Sequence, residues 1–147
     1  TFTGGEVIRI REDLDYTEMA EVISVISGEL EKGGYAAVVT TDAVDGLAAV
    51  DAVKAAQADA VVTTFDFHLE MAQNLRTGAI AFTIDQRAYL QGSTPVELLA
   101  EFLRDGTTPE QAKPVETGPF LIDATNVDAV AADLGAIYDR ATARFRP

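Results

Sequence analysis

The chain has 147 residues, which is enough for one folded domain with a substantial buried core. Its 24 acidic and 11 basic residues give a net charge of −13, which disfavours binding to nucleic acid or to anionic lipid heads. Cysteine is absent and His68 is the single histidine, which excludes disulfides, thiolate metal sites and multi-histidine relays. We therefore expect no metal, no cofactor and no nucleic-acid partner.

The first predicted elements are a strand, a helix and a second strand. Residues 7–10 predict a strand, and Asp15 with Glu18 forms a capping box that starts a helix. Apolar residues at three- and four-residue spacing continue this helix until Gly33. Residues 36–41 show little polar alternation, which predicts a strand buried on both faces.

The middle of the chain predicts two further pairs of helix and strand. A helix begins near Gly46, and residues 60–64 predict the next strand. Another helix spans about residues 69–76 and stops at Gly78, and residues 80–84 predict the fourth strand.

The C-terminal half continues the same alternation. The cap, first-turn proline and box partner of a fourth helix are Thr94, Pro95 and Glu97. This helix is expected to end at Gly106, residues 120–122 predict a fifth strand, and Asn126 opens the last helix. The repeated alternation predicts an α/β fold with a mostly parallel sheet, right-handed crossovers and helices on both faces.

Candidate site residues follow the predicted strands, because ligands of open parallel sheets bind beyond the carboxyl ends of the strands. They are Thr41 and Asp42 after the second strand, Asp66 and Phe67 after the third, and Gln86 after the fourth. Carboxylates and amides form hydrogen bonds with paired hydroxyls, and an aromatic face covers the apolar side of a sugar ring. The set therefore suits a sugar.

Most of these residues also have an ordinary structural interpretation. Asp42 could cap the helix that follows it, and Asp66 could cap the helix near Leu69. Phe65 and Phe67 also fit as core or rim aromatics. Gln86 is harder to explain in this way.

Catalysis has little support in the sequence. His68 beside Glu70 could form a general acid/base pair, but no nucleophile or second base accompanies it. No glycine-rich phosphate loop follows any predicted strand. We expect no catalytic residue, which disfavours an enzyme of flavodoxin-like architecture.

Several segments resemble the type 1 periplasmic sugar-binding proteins. Residues 65–66 resemble a Phe-Asp segment of their second lobe. Residues 78–86 with 89–92 resemble the segment that reads glycine, strand, Asp-Gln and Tyr-Leu-Gln-Gly. Residues 117–123 with Asn126 resemble the closing segment that reads Thr-Gly-Pro, strand and Asn.

The resemblance implies roles for matching residues. Asp66 matches an aspartate that accepts hydrogen bonds from sugar hydroxyls, and Gln86 matches a glutamine that binds the sugar at the hinge between the lobes. Thr41, before Asp42, stands where many relatives have asparagine, and Thr64 stands where they commonly have glycine. Both departures bear on which sugar is bound.

The resemblance also implies a domain plan. Such receptors have two lobes and roughly twice this length, so we expect an incomplete, flavodoxin-like C-terminal part, either truncated or proteolysed. Residues 1–86 would belong to the second lobe, residues 87–118 to a crossover segment of the first lobe, and residues 119–147 to the return strand and terminal helix. The surface left by the missing lobe could pair two copies as a homodimer.

The implied function is that of a non-enzymatic receptor outside the cytoplasm, in the periplasm or as a cell-surface lipoprotein. It would bind a monosaccharide and pass it to the permease of an ABC transporter. The alternative is the effector-binding domain of a lactose-repressor-like transcription regulator, although no helix-turn-helix segment or basic patch accompanies it. Because half the sugar's partners would be missing, we expect weak or undetectable binding by the chain alone.

Overall fold

The computed structural model describes residues 5–7, 19–108 and 115–143. Residues 8–10 of the first predicted strand and the capping box of Asp15 and Glu18 lie outside the described residues. The described elements are α1 (Met19–Leu30), β1 (Ala37–Val39), α2 (Ala43–Ala55), β2 (Val61–Phe65), a 3-10 helix (Leu69–Met71), α3 (Ala72–Thr77), β3 (Phe82–Asp85), α4 (Ala88–Asp105), β4 (Phe120–Asp123) and α5 (Val127–Ala143).

The four described strands form one sheet in the order β1-β2-β3-β4. The first three are parallel, and β4 runs antiparallel to β3. The predicted α/β fold with a mostly parallel sheet is therefore confirmed. Parallel neighbours bring the carboxyl ends of β1, β2 and β3 to the same edge of the sheet.

One face of the sheet is closed to solvent by helices. Thr64, Thr83 and Ile122 lie side by side in register across β2, β3 and β4, and each is at most 1% exposed. Helix α2 lies directly on this face, because a Cβ at Gly46 would lie only 2.8 Å from the Thr64 hydroxyl oxygen. The alanines of α2 allow the same close approach, and Ala49 and Ala52 are fully buried.

The opposite face of the sheet is partly exposed among the described residues. Val39 on β1, Val61 on β2 and Leu121 on β4 are 66%, 53% and 49% exposed. The prediction that residues 36–41 are buried on both faces is therefore wrong. The run is apolar, but Ala37 and Val39 within it are exposed.

Helix α4 begins earlier than the sequence predicts. The helix starts at Ala88, directly after Arg87, and the predicted start at Thr94 and Pro95 lies inside it. A proline within a helix removes the hydrogen bond to the carbonyl four residues before it, here that of Gln91, and the helix continues past that gap. The predicted end at Gly106 is confirmed, with a left-handed φ of 75°.

The C-terminal elements complete the packed face. Strand β4 and helix α5 lie where they are predicted, and Val127 at the start of α5 is fully buried. Val130 and Leu134 continue its packed side at helical spacing. In the part of the chain that the structure describes, no helix is long and apolar enough to cross a membrane.

Candidate functional site

Asp66 lies at the carboxyl end of β2 and is held by one neighbouring segment of chain. Its backbone is left-handed, with a φ of 63°, a conformation that few residues other than glycine adopt but that aspartate tolerates better than most. Its N–H donates to the Ile84 carbonyl at 2.9 Å, and its carbonyl accepts from the Thr83 hydroxyl at 2.6 Å. Its Oδ1 accepts from Nε2 of Gln86 at 2.8 Å. Hydrogen bonds from residues 83–86, which we call the β3 segment, thus fix both the backbone and the side chain of Asp66.

Gln86 follows β3 and lies beside Asp66. Its side chain is exposed and donates to Asp66, while its backbone carbonyl accepts from Nε2 of Gln91 at 2.9 Å. The structure therefore brings together two residues that the sequence separates by a helix and a strand. The capping alternative for Asp66 is wrong, because His68 occupies the cap position of the following 3-10 helix.

Asp42, at the end of β1, is a helix cap. Its Oδ1 accepts from the backbone N–H groups of Val44 at 2.6 Å and Asp45 at 3.1 Å, which satisfies two free donors of α2. The capping interpretation is confirmed, and a role of Asp42 in binding remains a prediction.

An open depression surrounds this cap, lined by Thr41, Asp42, Val44 and Asp45. Partial burial, together with the neighbouring charge of Asp42, raises the pKa of Asp45. Two carboxyl groups thus make the depression acidic, and Thr41 is an exposed candidate on its rim.

Buried hydroxyls connect the ends of β1 and β2. The Thr40 hydroxyl donates to that of Thr64 at 2.6 Å, and the Thr64 hydroxyl donates to the Asp42 carbonyl at 2.7 Å. Sequence reasoning missed these roles, although polar side chains inside apolar strands were the available signal. Thr64 fills the space beside Gly46, and its hydroxyl ties the start of α2 to β2.

The predicted aromatic and histidine candidates take different positions. Phe67 is only 7% exposed and packs in the hydrophobic core, and its contact with a sugar stays a prediction. Phe65 is half-buried, and Tyr89 on α4 is 55% exposed. His68 and Glu70 are both exposed, and within the described ranges no hydrogen bond joins them.

The segment that leaves the sheet after β3 and the segment that returns to it at β4 pack against each other beside the site. A Cβ at Gly118 would lie 3.2 Å from the Gln86 carbonyl oxygen, so the returning backbone passes close to the outgoing one. The Arg87 guanidinium stacks over Phe120, 4.6 Å from the ring centroid. This cation–π contact joins the first residue after Gln86 to the first residue of β4.

Comparison with known proteins gives solved structures only, since no protein-family model and no curated protein matches the chain. A carbohydrate transporter from Acidothermus cellulolyticus 11B, in complex with myo-inositol, is 32% identical with a TM-score of 0.70. The match covers 78% of this chain and 41% of that one.

Two more distant structures share the fold. One is the periplasmic binding protein of the arabinose ABC transporter from Shewanella sp. ANA-3, bound to L-arabinofuranose, at 21% identity and a TM-score of 0.61. The other is a periplasmic ribose ABC transporter from Conexibacter woesei DSM 14684, at 22% identity and a TM-score of 0.64. Each match covers 78% of this chain and 39% of the other.

The predicted resemblance to the periplasmic sugar-binding proteins of ABC transporters is thereby confirmed. The chain spans about two-fifths of the length of these structures. These structures are of binding and transport proteins, and nothing among them favours a transcription regulator.

Proposed function

We propose that the chain is the sugar-binding C-terminal part of an extracytoplasmic receptor that serves an ABC transporter. The observation that carries this proposal is the pairing of the Asp66 carboxylate with the Gln86 amide at the carboxyl edge of the sheet. Asp66 is half-buried and Gln86 is exposed, so both remain within reach of a ligand. The inositol and arabinofuranose named for similar structures are polyhydroxylated rings, which fits this chemistry.

Two kinds of hydrogen bond would hold such a ring. Asp66 accepts from sugar hydroxyls through the carboxylate oxygen that Gln86 does not contact, and Gln86 offers its own amide oxygen as an acceptor. Because Asp66 is already held by the β3 segment, little conformational freedom remains to be lost on binding. Thr41 and the second oxygen of Asp42 would add contacts from the neighbouring strand end.

Helix α4 supports the proposed division into lobes. None of its residues is buried, and no other described element packs against it beyond marginal contact. Its exposed apolar side chains include Val96, Leu99, Phe102 and Leu103. An amphipathic helix of this kind normally buries its apolar stripe, so residues 87–118 would pack within the first lobe. Residues 1–86 and 119–147 would form the second lobe, and closure of the two lobes would enclose the sugar.

The proposed receptor binds without turnover. It would deliver a monosaccharide to a membrane permease outside the cytoplasm, a task that requires selective capture and release. Two of the similar structures, which bind arabinofuranose and galactofuranose, are binding proteins. The sheet edge supplies hydrogen-bonding groups without a paired base and nucleophile among its described residues.

Calorimetry on the intact gene product tests the proposal. Titration with myo-inositol, arabinose, ribose and galactose should identify at least one ligand, and Asp66→Ala should weaken its binding by about 2–5 kcal/mol. Asp59→Ala is the matched control, because it removes the same charge from the opposite end of β2 and should leave affinity unchanged. The proposal fails if no polyol binds, or if Asp66→Ala binds as the unmodified protein does. The 147-residue chain alone should bind the same ligand weakly or not at all.

A further inference from the structure

We propose that Thr83 is a positioning residue that holds Asp66 in its ligand-binding conformation; this inference rests on the proposed function. Thr83 is fully buried, and its hydroxyl lies 2.6 Å from the Asp66 carbonyl oxygen and 3.2 Å from that of Thr64. A hydroxyl has one hydrogen to donate, and the shorter contact is the one to Asp66. Thr83 therefore reaches the site from beneath without contacting a ligand.

The backbone of Asp66 needs such a partner. Its N–H continues the ladder between β2 and β3 by donating to Ile84, but its left-handed φ turns the chain away from the sheet at that point. The carbonyl therefore has no place in the ladder, and a carbonyl without a partner in such a half-buried position is unfavourable. The Thr83 hydroxyl supplies the partner and stabilises a conformation that a residue with a Cβ otherwise avoids.

The conformation of Asp66 in turn sets the direction of its carboxylate. With the backbone in this state, Oδ1 lies 2.8 Å from Nε2 of Gln86, so the two groups present a joined hydrogen-bonding surface. Relaxation of Asp66 to an extended backbone would redirect the side chain and separate the pair. The neighbouring buried hydroxyls of Thr40 and Thr64 bond to each other and to the Asp42 carbonyl instead, so this task belongs to Thr83.

Affinity measurements on the intact gene product separate this role from general stabilisation. Thr83→Val keeps the shape and removes the hydroxyl, and it should weaken sugar binding about tenfold. Thr83→Ser restores the hydroxyl and should bind within about twofold of the unmodified protein. Thr83→Ala is a second variant without a hydroxyl, and its affinity loss should agree with that of Thr83→Val.

A core variant provides the matched control for stability. Ile80 is fully buried just before β3 and forms no hydrogen bond with Asp66, so Ile80→Val should lower the melting temperature without changing sugar affinity. The inference is overturned if Thr83→Val binds normally while Asp66→Ala does not, if Thr83→Ser fails to recover binding, or if Ile80→Val weakens binding equally. Absence of any polyol binding by the unmodified protein would instead overturn the proposed function, and this inference with it.

Discussion

The packed sheet and helix α4 differ in what their apolar residues contact. Met71, Leu75 and Ile80 beside the sheet are fully buried, whereas α4 has no buried residue and leaves Leu99 57% and Phe102 46% exposed. Met71 and Leu75 are four residues apart and Leu99 and Phe102 are three apart, which is helical spacing in both regions. Spacing alone therefore does not determine burial. Helical spacing specifies the helix and its apolar side, and the neighbouring elements decide whether that side is covered.

The largest expected effect on stability comes from the same change, leucine to alanine, made once beside the sheet and once in α4. Leu75→Ala should lower the free energy of unfolding by about 2–5 kcal/mol, because it leaves a cavity in the core. Leu99→Ala, at a side chain that is 57% exposed, should change it by no more than about 0.5 kcal/mol in the 147-residue chain. Urea denaturation measures both values.

The same two substitutions, made in the intact gene product, test the proposed division into lobes. There Leu99→Ala should become clearly destabilising, because α4 would be packed against the first lobe. An equally large effect of Leu99→Ala in the 147-residue chain would mean that α4 already has a partner within it.

A second comparison uses glycines within helices. Gly46→Ala should destabilise the chain by about 1–3 kcal/mol, because the new Cβ would lie 2.8 Å from the buried Thr64 hydroxyl. Gly92→Ala in α4 meets no atom within 4 Å and should stabilise the helix by up to about 1 kcal/mol. Thermal denaturation followed by circular dichroism reads both. Destabilisation by Gly92→Ala would contradict the free surface of α4.

The smallest expected effect concerns two carboxyl groups, one in each region. Hydrogen bonds from Thr125 lower the pKa of Asp123 at the end of β4, and those from Thr107 lower the pKa of Asp105 at the end of α4. A carboxyl whose pKa is lower in the folded state contributes stability above its unfolded pKa, and this contribution is lost as the pH falls through the folded pKa.

Removal of the hydroxyls should therefore have a pH-dependent effect. Thr125→Val should lower the melting temperature slightly at pH 7, and the difference should disappear well below about pH 4, where both states are protonated. Thr107→Val should raise the pKa of Asp105 with little change in melting temperature, because no described element packs on α4 beyond marginal contact. A Thr125→Val effect that persists unchanged in acid would indicate lost packing instead of lost charge stabilisation.

The sequence predicts the order of the described strands and helices because apolar periodicity is local information. It misplaces the start of α4 because Thr94, Pro95 and Glu97 form a valid start signal, and the structure tolerates Pro95 within a longer helix. The hydrogen bond from the Gln91 side chain to the Gln86 carbonyl was not predictable either. It depends on the direction in which α4 leaves the sheet. The exposed faces of β1 and β4 were equally beyond local reasoning, because coverage of a sheet depends on distant segments.

The candidate site was predictable to the extent that strand ends meet at one edge. That rule alone indicates that Asp66 and Gln86 lie close together. It does not indicate which face of β2 is buried, so the roles of Thr64 and Thr83 beneath the site were missed. It also does not distinguish an aromatic at the edge from one that turns inward, as Phe67 does.

The pairing of Asp85 with Phe120 has a consequence for how this fold could change over time. Residues 86–119 leave and re-enter the sheet at this one paired position, where the two chain ends are antiparallel neighbours. An insertion, deletion or exchange within the segment between them, beyond Gln86, would leave the register of the four described strands unaltered. Evolution or a protein engineer could therefore replace the residues after Gln86 while keeping the sheet and the pairing of Asp66 with Gln86 as they are.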